Sequence, residues 1–97
     1  MARIHFSVSY SIADGKRGEY LQAIANVRAF YENSDINFSL FEVKGKHNHF
    51  QEIYVYPSPE SYEASDDPET TAPISASLEK IYSLANSVRY EVSNEIA

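Results

Sequence analysis

Residues 50–63 read FQEIYVYPSPESYE, and their reading decides the fold. Phe50, Glu52, Tyr54 and Tyr56 alternate with Gln51, Ile53 and Val55, the period-two pattern of a strand. Pro57 ends that strand, because proline has no N–H to give to a ladder. Ser58 then has the form of a helix N-cap, with Pro59 at the first helical position and Glu60 in the first turn. The spacing predicts a short helix through about Ala64. Two phenols and a carboxylate on one strand face can wall a ligand cleft. They can equally pack a core or one half of a dimer interface, and the pattern leaves these alternatives open.

Working outward, Lys44 to His49 is polar and holds Gly45, which reads as the turn of a hairpin. It joins this strand to an earlier one over Ile36–Val43. Further upstream, Ile4, Phe6, Val8 and Tyr10 alternate with His5, Ser7, Ser9 and Ser11, a half-buried strand. Asp14-Gly15 breaks it. From Lys16 to Glu32 the period changes to that of a helix, with Tyr20, Ile24, Val27 and Tyr31 on one face. Downstream, the acidic, proline-bearing stretch Asp66–Thr71 reads as a loop. Ile74, Leu78, Ile81, Tyr82 and Ala85 form a second amphipathic stripe. Asn86-Ser87 is expected to turn the chain into a last strand over Val88–Ser93.

The order is therefore βαββαβ: a ferredoxin-like α+β domain of 97 residues, with a four-stranded antiparallel sheet and both helices on one face. Every expected strand carries apolar or aromatic groups on both parities. A sheet with one wet face alternates more cleanly. The face away from the helices is thus expected to be covered, and a homodimer is the simplest cover.

Composition narrows the partners. The net charge is −6 with only eight Lys plus Arg. That argues against nucleic acid, whose phosphates need a cationic surface, and against an anionic membrane. There is no cysteine. Disulfides, thiolate nucleophiles and Cys-ligated metals are excluded, which suits a cytoplasmic protein. The first residues show no apolar leader, and no apolar run approaches transmembrane length.

Asp14-Gly15-Lys16 leading into a helix with Tyr20-Leu21, and a third strand that ends in an aromatic before a Ser-x-Glu-like helix start, together resemble the dimeric α+β barrel superfamily. The likeness is greatest to its antibiotic-biosynthesis-monooxygenase-like branch and spans nearly the whole chain. Tyr56 stands where that branch often has tryptophan. The resemblance implies a homodimer whose sheets pack into a barrel, a cleft between sheet and helices in each subunit, and a small aromatic or polyketide-like ligand. It also implies possible monooxygenase chemistry without a cofactor, so none is expected. The asparagine, tryptophan and histidine used by haem-degrading members are missing from the matching positions, which disfavours that reaction.

His47-x-His49 with Glu52 superficially suggests a metal site. The spacing to Glu52 is too short for a cupin and no glycine follows, so a solvated turn is expected and no metal. His5, Ser7 and Ser9 share a strand face, where His5 has the pKa range of a base for a phenol or enol. The alternative is that this face packs on small helix residues such as Ala25 and Ala29. Glu52, if buried between tyrosines, acquires a raised pKa and can carry protons. If it faces Arg89 or Lys44 across strands, it is only an ion pair. The ligand-binding candidates are His5, Ser7, Glu52, Tyr54 and Tyr56. No residue is assigned a catalytic role, and a non-catalytic binding or interaction module of the same fold stays open.

Overall fold

The structure is a computed structural model that describes residues 2–97. Strand β1 spans Ile4–Ile12 and helix α1 Arg17–Tyr31, with a single 3-10 turn, Asp14–Lys16, between them. Strands β2 (Asn37–Glu42) and β3 (His49–Tyr56) follow, then the short helix α2 (Pro59–Ala64), helix α3 (Ser75–Leu84) and strand β4 (Ala85–Asn94). The sheet is antiparallel throughout, in the order β2-β3-β1-β4. This is the ferredoxin-like arrangement expected from the element order.

Local chemistry explains the boundaries. The Ser58 hydroxyl accepts the Ser61 N–H at 3.1 Å, satisfying one of the free donors at the start of α2. Gly45 adopts φ +82° in the β2–β3 turn, where a side chain would be strained. Asn48 takes φ +64° in the same turn and is buried. Its amide donates to Asp14 at 3.1 Å, its carbonyl accepts from Arg17 at 2.7 Å, and its backbone N–H donates to Glu42 at 2.8 Å. The hairpin is thereby bolted to the entry of α1.

The last strand differs from expectation. Asn86-Ser87 is no turn: α3 passes directly into β4 at Ala85. Ser87 takes φ +57° inside the strand, and the β1–β4 register slips there, Ser9 opposing Arg89 but Ser11 opposing Asn86. Three steps along β4 thus match two along β1, a bulge that absorbs the change of direction a loop would otherwise make.

One side of the sheet faces the helices. Val8, Tyr10, Ile12 and Phe50 pack there against Tyr20, Ile24 and Val27 of α1 and against Ile74 and Ile81. Val8, Tyr20, Val27 and Ile81 have no exposed surface, and each such burial stabilises by roughly 1.5–3 kcal/mol. A second cluster at the other end joins Ile4, Ile36, Tyr54 and Tyr56. The opposite side of the sheet is bare, and on it Phe41 is 56% exposed. No helix of the described residues is long and apolar enough to cross a membrane.

Candidate functional site

The five candidate residues divide between the two faces. Ile4, Phe6, Val8 and Tyr10 oppose Tyr56, Tyr54, Glu52 and Phe50, so this parity points to the helices. His5 and Ser7 oppose Val55 and Ile53 on the bare side. The structure brings Glu52, Tyr54 and Tyr56 together and sets His5 and Ser7 across the sheet from them. The strand face of His5, Ser7 and Ser9 therefore does not pack on Ala25 and Ala29. Side chains on opposite parities cannot meet, whatever the loops do.

Glu52 is the centre of the helix-side cluster and has no exposed surface. Tyr10 and Tyr54 donate their hydroxyls to its two carboxylate oxygens, the second at 2.5 Å. Tyr10 in turn lies 2.7 Å from the Tyr20 hydroxyl. A chain of four polar groups, Tyr20–Tyr10–Glu52–Tyr54, thus runs through the core. No buried side-chain nitrogen or oxygen among the described residues lacks a partner. Arg89 pairs with Ser9 on the other face, so the cross-strand ion pair with Glu52 does not form.

Burial sets the protonation chemistry. Desolvation raises the Glu52 pKa above its ordinary value of 4.5, and the tyrosine hydrogen bonds oppose that rise. Desolvation, reinforced by the Glu52 charge, raises Tyr10 and Tyr54 so far that they stay protonated donors. Burial also lifts Tyr20 and Tyr82 strongly, and Tyr31 to about 12. A carboxylate held only by phenols that do not ionise is a proton acceptor with nothing nearby to neutralise its charge.

Around it the aromatic rings form a continuous wall. Tyr54 packs on Phe38 at 5.0 Å and edge-on against Tyr31 at 5.5 Å between centroids. Phe6 lies 5.8 Å from Tyr54 and, on its other side, 6.1 Å from Tyr90 with the rings only 10° from parallel. Tyr56 meets Tyr62 edge-on at 5.3 Å. The wall leaves the core at β4, where Tyr90 is 62% exposed. Five surface cavities of about 250 to 480 Å3 are lined by other residues, and none by Glu52, Tyr54 or Tyr56.

Tyr10 and Tyr20 join the Glu52 cluster although neither stands out in the sequence. Each read as an ordinary core position, one by strand parity and one by helical spacing. What brings them to Glu52 is the β1–β3 register and the seat of α1, neither of which a linear pattern carries. The signal was present only as an unusual demand: a carboxylate on a core parity must find donors.

His47 approaches Asp14 at 3.2 Å and Glu42 at 3.6 Å, while His49 lies in strand register with Ser11 on the bare face. The two histidines do not converge. Among the described residues no group of three or more His, Asp or Glu side chains is placed to hold a metal ion.

No family model matches the sequence, and no curated protein matches it. Solved structures do. A candidate antibiotic biosynthesis monooxygenase from Caulobacter crescentus superposes with a TM-score of 0.82 at 11% identity, over 99% of this chain and 92% of that one. SnoaB, a cofactor-independent oxygenase from Streptomyces nogalater, superposes with a TM-score of 0.77 at 13% identity, over 100% of this chain and 96% of that one. A dimeric ferredoxin-like protein from an uncultured marine organism gives 0.76 at 11%, over 100% and 90%. The chain shares the fold of these proteins, a candidate antibiotic biosynthesis monooxygenase and a cofactor-independent oxygenase among them.

Proposed function

We propose that this protein is a homodimer that binds a flat aromatic or polyketide-like molecule against the tyrosine-rich side of its sheet and oxygenates it without a cofactor. The observation that carries the reading is the Glu52 carboxylate, wholly buried and held only by tyrosine hydroxyls. The near-parallel Phe6–Tyr90 pair, with one ring exposed, offers the stacking surface for a planar ligand. Behind Phe6, Tyr54 connects that surface to Glu52.

In this reading Glu52 takes the proton of an activated ring CH2, directly or through Tyr54. The carbanion reduces O2 to a carbon-bound hydroperoxide, with the proton returned to the distal oxygen. Loss of water then leaves a carbonyl, so that CH2 and O2 become C=O and H2O. The co-reactant is O2 and the electrons come from the substrate.

A second reading, a non-catalytic binding module, is favoured by the burial of the cluster's centre: Glu52 has no exposed surface, and Tyr54 and Tyr56 are nearly as buried. O2 uptake with a panel of anthrones and hydroquinones separates the two. Uptake by the wild type that Glu52→Gln abolishes, with the variant still folded by circular dichroism, supports oxygenation. Quenching of tyrosine fluorescence by the same compounds without O2 uptake selects the binding module. Neither quenching nor uptake overturns both.

A further inference from the structure

Helix α1 and the edge strand β2 are clasped at two points and stand apart between them. At one clasp the Tyr31 ring stacks on Phe38 at 5.9 Å between centroids. At the other the Arg17 guanidinium meets the Glu42 carboxylate at 2.6 Å. Between the clasps lies a groove of about 480 Å3, within the range of about 300–1,000 Å3 common for small-molecule sites. Leu21, Ile24, Ala25 and Arg28 line it from the helix, and Phe38 and Leu40 from the strand. Leu21, Ala25 and Arg28 follow at i, i+4 and i+7, a second stripe beside the core stripe of Tyr20, Ile24 and Val27. The single methyl of Ala25 leaves room that a longer side chain would fill. Leu21 and Arg28 lie about 10 Å apart along the helix axis, so the groove is apolar at one end and cationic at the other.

The cation is free. Arg3, Lys16, Arg17 and Lys80 each pair with a glutamate. Arg28 makes no ion pair with any described carboxylate, and no acidic residue lines the groove. At the other end Leu21 is 39% exposed although apolar. An unpaired guanidinium and an uncovered apolar trough complement a ligand with an anionic head and an apolar body. β2 is at the sheet edge, so alternate backbone N–H groups along it have no strand partner and add donors beside Arg28.

We propose that this groove binds a medium-chain aliphatic carboxylate, its chain along Leu21, Ile24, Ala25, Phe38 and Leu40 and its head group on the Arg28 fork. A carboxylate meets that fork with two parallel hydrogen bonds, and an extended chain suits a trough bounded by one helix and one strand. Phe38 and Leu40 have the helix-facing parity, opposite Tyr54 and Glu52, so the site stays open when a second copy covers the bare face. The inference does not rest on the oxygenase reading, whose stacking surface reaches β4 at the opposite edge of the sheet.

The test is a titration of the full chain with octanoate and with 1-octanol, followed by amide NMR at constant ionic strength. Octanoate is expected to give saturable shifts in residues 21–28 and 38–40. 1-Octanol, with the same chain and no charge, is expected to bind at least about tenfold more weakly. Arg28→Gln is expected to weaken octanoate at least about tenfold and to leave 1-octanol unchanged. Ala25→Leu, at an exposed helix position where the fold tolerates change, is expected to fill the groove and abolish both. Shifts that fail to saturate by about 3 mM, equal binding of 1-octanol, or insensitivity to either substitution would each overturn the site. Shifts confined to the Ile53–Val55 strip would put the chain between subunits and overturn it as well.

Discussion

The Tyr54 hydroxyl donates to the Glu52 carboxylate across 2.5 Å, from two residues along the same strand, where Glu52 has no exposed surface. Period two puts the pair on one face, and the register of β1 brings Tyr10 to the other carboxylate oxygen. The acid is thus held in the core by neutral donors alone, and its ionisation is coupled to folding.

The folded pKa of Glu52 lies above the ordinary value of 4.5, so the native state binds this proton more tightly than the unfolded chain does. Its contribution to stability is fully present below pH 4.5 and is lost as the pH rises through the folded value. Glu52→Gln removes that loss. Urea melts of the two proteins should diverge in the variant's favour as the pH rises above 4.5. Glu52→Ala instead leaves the Tyr54 hydroxyl without its acceptor and opens a void, destabilising by about 2–4 kcal/mol.

Glu42 is expected to act with the opposite sign. Hydrogen bonds from the Arg17 guanidinium and the Asn48 backbone hold its pKa down to about 2. Its contribution is present above the ordinary 4.5 and is lost as the pH falls toward 2. Amide hydrogen exchange in residues 43–49 should accelerate over that window, and Glu42→Gln should make it fast and pH-insensitive.

Asn48 combines a left-handed backbone with two side-chain hydrogen bonds. Asn48→Ala loses the bonds and strains the backbone, for about 2–3 kcal/mol in urea denaturation. Asn48→Gly loses the same bonds without the strain and should recover about 1 kcal/mol of that. Equal destabilisation by the two would show that the backbone conformation matters little.

Light scattering at micromolar concentration is expected to give twice the 11.0 kDa chain mass. Ile53, in the middle of the bare face opposite Ser7 and Ser39, is the position to challenge. Ile53→Glu should yield a folded monomer, because a buried unpaired charge at an interface centre costs several kcal/mol. A wild-type mass of one chain would refute the dimer.

Much of this architecture was legible in the linear pattern. Period-two alternation placed β1 and β3, the Tyr20–Ile24–Val27 spacing placed α1, and Ser58-Pro59 marked the start of α2 to the residue. β4 was harder to read. Asn86 and Ser87, just after its first residue Ala85, carry turn chemistry, and only the pairing of β4 with β1 converts them into a bulge. Tertiary hydrogen bonding overrode the local preference.

What the sequence determined alone was parity: which residues share a face, and so that Glu52, Tyr54 and Tyr56 lie on the same side of the sheet. Side-chain direction alternates by covalent geometry and needs no partner. Which residues then meet was decided by the tertiary structure. The β1–β3 register joins Tyr10 to Glu52, and α1 adds Tyr20. The strand order β2-β3-β1-β4 puts β2 at the sheet edge, where the groove beside α1 opens. Strand pairing depends on contacts between residues far apart in the chain, and no local spacing encodes them.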